Sequence, residues 1–523
     1  MKRAITITVC ALALCLAGYA QNPFLPLWEF IPDAEPYVFE DPDNPGHHRV
    51  YIYGSHDTLE NAYCGVDFVC WSAPVDNLLD WRYEGRIFES LYDGDGKFLN
   101  ESQVGDVLYA PDVTVKRASD GSVKYYLYSN NTAGGRRSQT AVSDRPDGPF
   151  KVCNWKSDAP NECYGVLGFD PAVFVDDDGR VYGYWGFGES RAAELDPETM
   201  CTVKPGCEII HNLVSGYKQE GVFRFYEASS MRKVQDKYIF IFARFSADGD
   251  FGLPGSCYTL AYAYGDSPLG PFTYGGTIID GRAHSTDAQG RPIITATEYG
   301  NTHGSIFFDG KQWWVIYHRQ TGRDQYSRQT MVAPIEIKIE KGRGGKVSIS
   351  EAEYNSEGFR IQGLDPFAVT SAGLACYHKG PVHDKRASKL MYFSGSYVQA
   401  TRDGSGVCTL TNNTSGSVAG YKYFDFRQLR KARKPSLTIN LQPCGIDGHV
   451  DVYMGGPEEA LGGIKVGAFD IKASDPRQMT SVKVALGGLG ALKGDKQPLF
   501  FRFSSPEEGK STCIIYDFKF NSR

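Results

Sequence analysis

Val50-Tyr51-Ile52-Tyr53 is the first of five short aromatic phrases that recur along the first two thirds of this 523-residue chain. The other four are Tyr125-Tyr126-Leu127-Tyr128, Val181-Tyr182-Gly183-Tyr184-Trp185, Tyr238-Ile239-Phe240-Ile241-Phe242 and Trp313-Trp314-Val315-Ile316-Tyr317. Four of the five follow a turn-forming pair, namely Asp120-Gly121, Asp178-Gly179, Gln235-Asp236 and Asp309-Gly310. Because aromatic and β-branched residues after such a turn are typical of a hairpin, each phrase is predicted to be the second strand of a β-hairpin.

The spacing of these phrases predicts the architecture of residues 22–365. Successive copies lie about 55–75 residues apart, which is room for several short strands but not for an independent core. Such units must stack on their neighbours, and in a β-propeller each unit forms one blade around a central axis. Five copies therefore predict an all-β, five-bladed β-propeller. A β-sandwich or an irregular barrel with similar strands is the alternative that the pattern leaves open.

The composition changes after about residue 340. All seven tryptophans lie at or before Trp314, and a charged, glycine-rich stretch follows at 341–346. Further on, short alternating runs such as His449-Val450-Asp451-Val452-Tyr453 are separated by turns that contain glycine or proline. This pattern predicts a second domain, a jelly-roll-like β-sandwich over residues 388–523, joined to the first by a linker over 366–387.

The charge balance excludes one class of partner. The chain carries 55 Lys and Arg against 62 Asp and Glu, which gives a net charge of −7. Without a basic excess to displace counterions from phosphates, no nucleic-acid partner is expected. No segment approaches the ~20 continuous apolar residues of a transmembrane helix, so no membrane span is expected.

The first twenty residues predict export. Lys2 and Arg3 precede an apolar run over 4–17, and the small residues of 18–20 follow it, as in a secretory signal peptide. We expect residues 1–20 to be cleaved near Ala20 and the protein to be secreted or periplasmic. Cys15 lacks the small preceding residue of a lipoprotein signal, so lipid anchoring is the less favoured alternative. Eleven of the thirteen cysteines then remain, an odd number that cannot all pair internally.

Four acidic residues among apolar or aromatic neighbours are candidates for chemistry. No serine-hydrolase elbow, zinc-protease helix or phosphate-binding loop is present in the sequence, which leaves the carboxylates Asp33, Asp112, Asp170 and Glu227. Burial raises the pKa of a carboxyl group, so one acid can stay protonated while a better solvated one is ionised. Two carboxylates of this kind are the usual minimum for cleaving a glycosidic bond. For each aspartate, a turn or capping role is the structural alternative.

The order of the acidic motifs resembles that of glycoside hydrolase family 43. The motifs are Asp33 before the first aromatic strand, Tyr53-Gly54-Ser55-His56-Asp57, Ala110-Pro111-Asp112-Val113, Asp170-Pro171-Ala172, Glu227-Ala228-Ser229-Ser230 and His303-Gly304-Ser305. The resemblance implies Asp33 as general base, Glu227 as general acid and Asp170 as the carboxylate that orients the acid. The family places a proline directly after its base, and here Pro36 follows Glu35, so Glu35 is the alternative base.

The same resemblance implies further contacts to substrate and cation. It implies that Arg328 binds the innermost sugar and that His303 helps to hold a calcium ion at the centre of the propeller. Trp71 and Trp185 are candidates to stack on sugar rings, with a core role as the alternative for both. The C-terminal domain is similar to carbohydrate-binding module family 6, for which Tyr421 and Tyr423 are the available aromatic platforms.

The expected function is therefore the cleavage of a sugar polymer or oligomer. The resemblance implies an inverting hydrolase of arabinose- or xylose-containing plant glycans, most plausibly an exo-acting α-L-arabinofuranosidase or β-xylosidase. The alternatives are an endo-arabinanase, a galactofuranosidase or a propeller that binds glycan without cleaving it. The expected partner is an oligo- or polysaccharide substrate, and no organic cofactor is expected.

Overall fold

A computed structural model describes residues 21–97, 107–118, 120–131, 134–296, 300–321, 325–381 and 395–523. The predicted signal peptide at 1–20 lies outside these residues. Within them, regular structure consists of β-strands and of 3-10 helices only three residues long, so the expected all-β class is confirmed. The helices are Gly134–Arg136, Asp250–Gly252, Ala372–Leu374, Leu429–Lys431, Glu459–Leu461 and Leu489–Ala491.

Five antiparallel sheets follow one another along the first part of the chain, and we call them the five-sheet region. Strands that are consecutive in sequence are neighbours in each sheet. The first sheet contains β1 (Glu35–Glu40), β2 (His48–Tyr53), β3 (Asp67–Pro74) and β4 (Arg82–Glu89). The second contains β5 (Leu108–Arg117), β6 (Val123–Asn131), β7 (Thr140–Ser143) and β8 (Lys151–Val152), and the pair β9 (Trp155–Lys156) and β10 (Ala159–Cys163) comes after it.

The remaining three sheets repeat this order. The third contains β11 (Ala172–Val175), β12 (Val181–Trp185), β13 (Arg191–Leu195) and β14 (Ile210–His211). The fourth contains β15 (Phe225–Val234), β16 (Lys237–Arg244), β17 (Thr259–Gly265) and β18 (Thr273–Asp280), followed by the pair β19 (Ser285–Thr286) and β20 (Pro292–Ile293). The fifth contains β21 (Ser305–Phe308), β22 (Trp313–Arg319) and β23 (Gln329–Ile335), and the pair β24 (Ile337–Ile339) and β25 (Val347–Ile349) follows.

The aromatic phrases occupy the same position in every sheet. Each lies in the second strand, where it pairs antiparallel with both the first and the third. Their side chains are mostly buried because a second strand has a neighbour on both sides and adjacent sheets pack on both of its faces. The predicted hairpin position of the phrases is therefore confirmed. The first strands contact one another from sheet to sheet, with β1 against β5 and β21, and β11 against β5 and β15.

Two larger sheets, which we call the C-terminal sheets, form the rest of the chain. One has β28 (Tyr397–Ala400), β29 (Cys408–Thr411), β36 (Cys513–Asn521), β31 (Ser436–Pro443) and β34 (Thr480–Ala485) in that order, with β26 (Thr370–Ser371) also paired to β36. The other has β27 (Tyr377–Lys379), β30 (Val418–Asp425), β35 (Lys496–Ser504), β32 (Gly448–Met454) and β33 (Ile464–Ile471).

Side chains from both C-terminal sheets bury one shared hydrophobic core, which includes Leu437, Ile439, Val450 and Phe501. Two of the strands, β26 and β27, come from the segment 366–387 that the sequence assigns to a linker. β27 pairs with β30 at the edge of one sheet, and β26 pairs with Asp517 and Phe518 of β36, beyond the residue of β36 that pairs with β29.

Candidate active site

The sequence and its family resemblance assign catalysis or sugar binding to six residues, not counting His303. Five of these six line one cavity. Its volume is about 780 Å³. They are Asp33, Asp170, Glu227, Arg328 and Trp185, and His303 lies in the same wall. Asp33 and Asp170 come just before the first strands β1 and β11, Glu227 lies in the first strand β15, and His303 comes just before β21. Residues far apart in sequence meet here because the first strands of the sheets contact one another.

The backbone is strained where two of these acids emerge. Asp33 and Asp170 have φ angles of 56° and 47°, in the left-handed region that residues other than glycine rarely adopt. Such conformations cost of order 1–3 kcal/mol and concentrate at functional sites. Both residues line the cavity.

Gly54 lets the end of β2 approach Asp33. A Cβ atom at this position would lie 2.4 Å from the carbonyl oxygen of Pro32, so no other residue fits without movement of the backbone. The close approach brings the Ser55 hydroxyl to Asp33, where it donates to Oδ2 at 2.7 Å. The same hydroxyl accepts the backbone N–H of Ala110 at 2.7 Å. Ser55 therefore fixes the Asp33 carboxylate between the first and second sheets.

Cationic and hydrogen-bonding neighbours keep Asp33 ionised. Burial alone would raise the pKa of this carboxyl group, but the guanidinium of Arg328, the positive charge of His303 and the Ser55 hydroxyl outweigh burial and lower it. Arg328 donates from Nη1 to Oδ1 at 2.9 Å and to Oδ2 at 3.2 Å. Asp33 is thus a carboxylate near neutral pH, as a general base must be.

Asp57 is a residue of this site to which sequence reasoning gave no role. Its carboxylate accepts hydrogen bonds from Arg328 Nε at 3.0 Å and Nη2 at 2.9 Å, and from the Arg328 backbone N–H at 3.0 Å. It also accepts the N–H of Cys64 at 2.9 Å. Arg328 is therefore held between two carboxylates, Asp33 and Asp57. The available signal was the position of Asp57 in the motif 53–57, directly after the aromatic strand.

His318 is a second residue that the sequence did not single out. It lies in the second strand β22 and accepts the backbone N–H of Asp33 at Nδ1, at a distance of 3.3 Å. Its Nε2 lies 2.9 Å from the carbonyl oxygen of Asn301. Burial lowers the pKa of His318 to about 3, so the ring is neutral and Nδ1 can accept. Nothing in a lone histidine of an aromatic strand predicts this contact.

The surroundings of Glu227 shift the pKa of its carboxyl group in the direction opposite to that of Asp33. Burial raises the pKa of its carboxyl group well above the ordinary value, and the negative charges of Asp170 and Asp33 raise it further. The pairing of β15 with β16 is irregular around this residue, and Ala228 has a φ angle of 64°. That irregularity turns the Ala228 N–H toward Asp170, which accepts it at 3.0 Å. Burial and these charges therefore favour the protonated form of Glu227, which is the form that a proton donor requires.

Glu35, the alternative base, lies away from the cavity. Its Oε2 accepts from Arg232 Nη2 at 2.6 Å and from the Ser230 hydroxyl at 3.0 Å. The side chain is 1% exposed, and it is absent from the lining of the cavity. Its carboxyl group serves a buried ion pair and does not face bound substrate. The geometry favours Asp33 as the base.

His303 lies between two carboxylates, and the calcium ion expected beside it stays a prediction. Its Nε2 lies 3.6 Å from Glu35 Oε1, and its Nδ1 lies 3.8 Å from Asp170 Oδ2. Although burial alone lowers the pKa of this imidazole, Glu35 and the neighbouring aspartates raise it to about 9. In the described part of the chain, no group of three or more His, Cys, Asp or Glu residues could hold a metal.

Trp71 and Asp112, like Glu35, are candidates that the structure does not bring to the cavity. Trp71 is 5% exposed and packs in the hydrophobic core around Ile52 and Trp314, because its position in β3 points the indole between sheets. Asp112 accepts from the Tyr37 hydroxyl at 2.5 Å and from the Val173 N–H at 2.7 Å. It thus links the first strands of three sheets. Burial raises its pKa to about 7.

Known proteins share this sequence pattern. The sequence profile described as Glycosyl hydrolases family 43 matches residues 47–341. A xylosidase/arabinosidase of Thermoclostridium stercorarium is 33% identical over 438 residues, which covers 79% of this chain and 84% of that relative. An arabinoxylan arabinofuranohydrolase of Paenibacillus polymyxa is 27% identical over 357 residues, which covers 64% of this chain and 53% of the relative. The chain thus spans about half the length of this second relative.

One solved structure aligns along nearly the whole chain. It is a glycoside hydrolase family 43 arabinoxylan arabinofuranohydrolase from Bacillus subtilis in complex with cellotetraose, with a TM-score of 0.46 and 20% sequence identity. The alignment covers 96% of this chain and 97% of that one.

Proposed function

The chain belongs to glycosyl hydrolases family 43, and from this membership we propose that it releases arabinofuranose or xylose from arabinoxylan-type plant glycans as an exo-acting, inverting glycosidase. The names of the relatives, which are xylosidases, arabinosidases and arabinofuranohydrolases, support this substrate class. The chain is an enzyme of the class that hydrolyses O-glycosyl bonds.

One observation carries the proposal. Asp33 and Glu227 line the same cavity and are both buried, yet the pKa of Asp33 is lowered while that of Glu227 is raised. A pair of carboxyl groups with opposite protonation states is what an inverting hydrolase requires. A propeller that only bound glycan would not need this separation.

The mechanism follows from the two protonation states. Asp33 accepts a proton from a water molecule, whose oxygen attacks the anomeric carbon from one face of the sugar. The glycosidic C–O bond breaks on the opposite face, and Glu227 donates its proton to the departing oxygen. The products are a free sugar of inverted configuration and a shortened glycan. For a water to fit, the two carboxyl groups must lie roughly 6.5–9.5 Å apart when substrate is bound.

Asp170 and Arg328 support this pair. The charge of Asp170 helps to keep the proton on Glu227, and its bond to the Ala228 N–H holds the backbone next to the acid. The positive charge of Arg328 stabilises the Asp33 carboxylate, and Arg328 lines the cavity, where we expect it to contact the innermost sugar. Trp185 supplies an apolar wall to the same cavity.

A substrate screen tests the proposal. The purified chain is assayed on nitrophenyl α-L-arabinofuranoside, β-D-xyloside and β-D-galactofuranoside, and on polymeric arabinoxylan and arabinan. We expect hydrolysis of the arabinofuranoside, the xyloside or both, with only monosaccharide released from the polymer. Proton NMR of the first-formed sugar should show inversion of the anomeric configuration. Oligosaccharide products would point to endo action, and retention of configuration would overturn the proposed roles of Asp33 and Glu227.

We further propose that the five sheets are the blades of a five-bladed β-propeller. The contacts among the first strands β1, β5, β11 and β15, and the contact of β21 with β1, support a closed circuit around the cavity. The last step of that circuit, from β15 to β21, is supported by Ser230 and Ser305, whose hydroxyl oxygens lie 2.9 Å apart. A crystal structure in which the first strands surround one axis is the expected result, and an open row of sheets would contradict it.

We also propose that the C-terminal sheets form a β-sandwich that binds glycan as a carbohydrate-binding module. Tyr421 is fully buried and packs against Phe501 and Phe518, so it cannot serve as a platform. Tyr423 lines a cavity of about 1000 Å³ shared with Phe251 and His284, which supports it as the remaining candidate. Tyr423→Ala should weaken binding to insoluble arabinoxylan, while Tyr516→Ala, in the other sheet, should not. Equal binding by both variants would contradict a role for Tyr423.

Export completes the proposal. We propose that residues 1–20 are removed and that the mature chain is secreted or periplasmic. The eleven cysteines among the described residues are all unpaired. N-terminal sequencing of the protein recovered from its native cells should begin near Gln21, and a sequence that begins at Met1 would contradict export.

A further inference from the structure

A tight turn of the C-terminal sheets reaches the active-site side of the five-sheet region. The turn covers residues 401–407 between β28 and β29. The Thr401 N–H donates to the Val407 carbonyl oxygen at 2.9 Å, and the Asp403 carboxylate accepts from the N–H and the hydroxyl of Ser405 at 3.0 and 2.6 Å. Because these hydrogen bonds join residues within the turn, they stabilise its conformation without the five-sheet region.

Arg402 projects from this turn onto the five-sheet region. Its Nη2 donates to the carbonyl oxygen of Tyr326, and its Nη1 donates to the carbonyl oxygen of Asp57 at 3.4 Å. The guanidinium also lies over the ring of Phe30, 5.3 Å from the ring centroid. Phe30 in turn accepts the Asp57 N–H at its carbonyl oxygen, at 2.9 Å. One side chain of the C-terminal sheets thus contacts the ring of Phe30 and two further segments, those of Asp57 and Tyr326.

Both segments hold Arg328. Asp57 clamps its guanidinium and its backbone N–H, as described above. Tyr326 comes two residues before Arg328 in the chain, and its ring packs edge-on against Tyr63 at 5.1 Å. Tyr63 lines the cavity, and its ring lies under the Arg328 guanidinium at 4.8 Å. A shift of either segment would therefore move Arg328, and with it the Asp33 carboxylate that Arg328 holds.

We propose that Arg402 is a positioning residue through which the C-terminal sheets hold the Asp57–Arg328–Asp33 chain in its working geometry. Arg402 does not line the cavity, so it acts only through the groups that it contacts. The C-terminal sheets are then part of the catalytic unit in addition to any glycan that they bind. This inference rests on the proposed hydrolytic function. A displacement of reacting groups by about 1 Å can cost 10²-fold in rate. Loss of the Arg402 contacts should therefore lower kcat by a measurable amount.

The test compares four full-length proteins on the nitrophenyl glycoside that the wild type hydrolyses. Arg402→Met removes the donors but keeps an unbranched stem over Phe30, and Arg402→Lys keeps a cationic donor. Arg427→Ala is the matched control, because Arg427 is an exposed arginine of the C-terminal sheets whose guanidinium bonds only Asp425 among the described residues. Each variant is also melted, and kinetics are measured well below the lowest melting temperature, so that loss of folded protein does not enter the rates.

We expect kcat of Arg402→Met to fall about 10- to 100-fold with KM changed less than about threefold, because the catalytic groups are displaced while the cavity keeps its walls. Arg402→Lys should recover much of the rate, and Arg427→Ala should match the wild type. Wild-type kinetics in Arg402→Met would overturn the proposal and leave the hydrolytic function intact. A loss of rate that appears near the melting temperature and is absent well below it would also overturn the proposal, because the role of Arg402 would then be stability alone. A wild type inactive on every glycoside would overturn the function and this inference together.

Discussion

The two sides of the cavity shift the pKa of a buried carboxyl group in opposite directions. Asp33 is 5% exposed and Glu227 is 7% exposed, so desolvation acts on both in the same direction. On the Asp33 side, Arg328, Ser55 and two histidines face the carboxylate. On the Glu227 side, the nearest charges are Asp170 and Asp33, and no hydrogen bond to the Glu227 carboxyl group is found among the described residues.

This difference shows that its neighbours keep Asp33 ionised as the base, whereas burial, aided by the charges of Asp170 and Asp33, makes Glu227 the acid. Burial alone would leave both groups protonated and without a base. The clamp of Arg328 between Asp33 and Asp57 supplies the positive charge on one side only. Each prediction below removes one neighbour or one reacting group, and so breaks or sharpens the contrast between the two sides.

The largest effect is expected for Glu227→Gln. The amide has nearly the shape of the acid but no proton to give, so kcat/KM on arabinoxylan should fall about 10⁴-fold, the upper end for general acid catalysis. The loss should be smaller on a dinitrophenyl glycoside, whose leaving group needs little protonation. Initial rates on both substrates measure the difference, and binding of arabinoxylan should persist. An equal loss on both substrates would assign Glu227 a role other than proton donor.

The base side is tested by Asp33→Asn and Glu35→Gln side by side. Asp33→Asn should lower kcat by about 10³-fold on the polymer and on the nitrophenyl substrate alike, because water activation is needed for both. Glu35→Gln breaks a buried ion pair with Arg232 and should lower the free energy of unfolding by about 3 kcal/mol, with a much smaller effect on kcat. Urea unfolding and steady-state kinetics separate the two outcomes. The reverse pattern, with Glu35→Gln inactive and Asp33→Asn active, would exchange the assignments.

A smaller and more specific effect is expected for Asp170→Asn. The negative charge of Asp170 raises the pKa of Glu227, so its removal lets Glu227 lose its proton more easily and lowers that pKa. The alkaline limb of the kcat/KM profile should therefore move to lower pH. Because the pKa of Asp170 is itself raised to about 6, its charge acts mainly above that pH. The acidic limb, which reports the lowered pKa of Asp33, serves as the internal control. An alkaline limb that stays in place would show that burial alone keeps Glu227 protonated.

The strands and most of the acids could be predicted from the sequence because their signals are local. An aromatic phrase after a turn predicts the second strand of a sheet wherever it occurs, and each one was found there. The acids just before a first strand, Asp33 and Asp170, were predictable because the motif order resembles a known family. The choice of Asp33 over Glu35 as the base required the structure, since only packing shows that Glu35 forms an ion pair with Arg232.

The supporting residues could not be predicted in the same way. Asp57 and His318 act through contacts to Arg328 and Asp33 that span hundreds of residues, and no local pattern encodes such contacts. Arg402 lies in an ordinary polar turn of the C-terminal sheets. The strands β26 and β27 fall in a segment with no strong alternation, and they form by pairing with β36 and β30, which come later in the chain.

The smallest expected effect distinguishes Trp71 from Trp185, the two tryptophans that the sequence offers as candidates to stack on sugar rings. Trp71 donates its indole N–H to Glu29 at 2.8 Å inside the core, whereas Trp185 lines the cavity. Trp71→Phe should lower the free energy of unfolding by about 1–3 kcal/mol, because it leaves a buried carboxylate oxygen without its donor, and it should leave KM within about twofold of the wild type. Trp185→Phe should raise KM severalfold, because it removes part of the wall that a sugar contacts. The two variants are the same substitution, so each is the control for the other in urea unfolding and in kinetics. A rise in KM for Trp71→Phe as large as that for Trp185→Phe would mean that substrate reaches beyond the cavity to the first sheet, and that sugar binding is not confined to the cavity between Asp33 and Glu227.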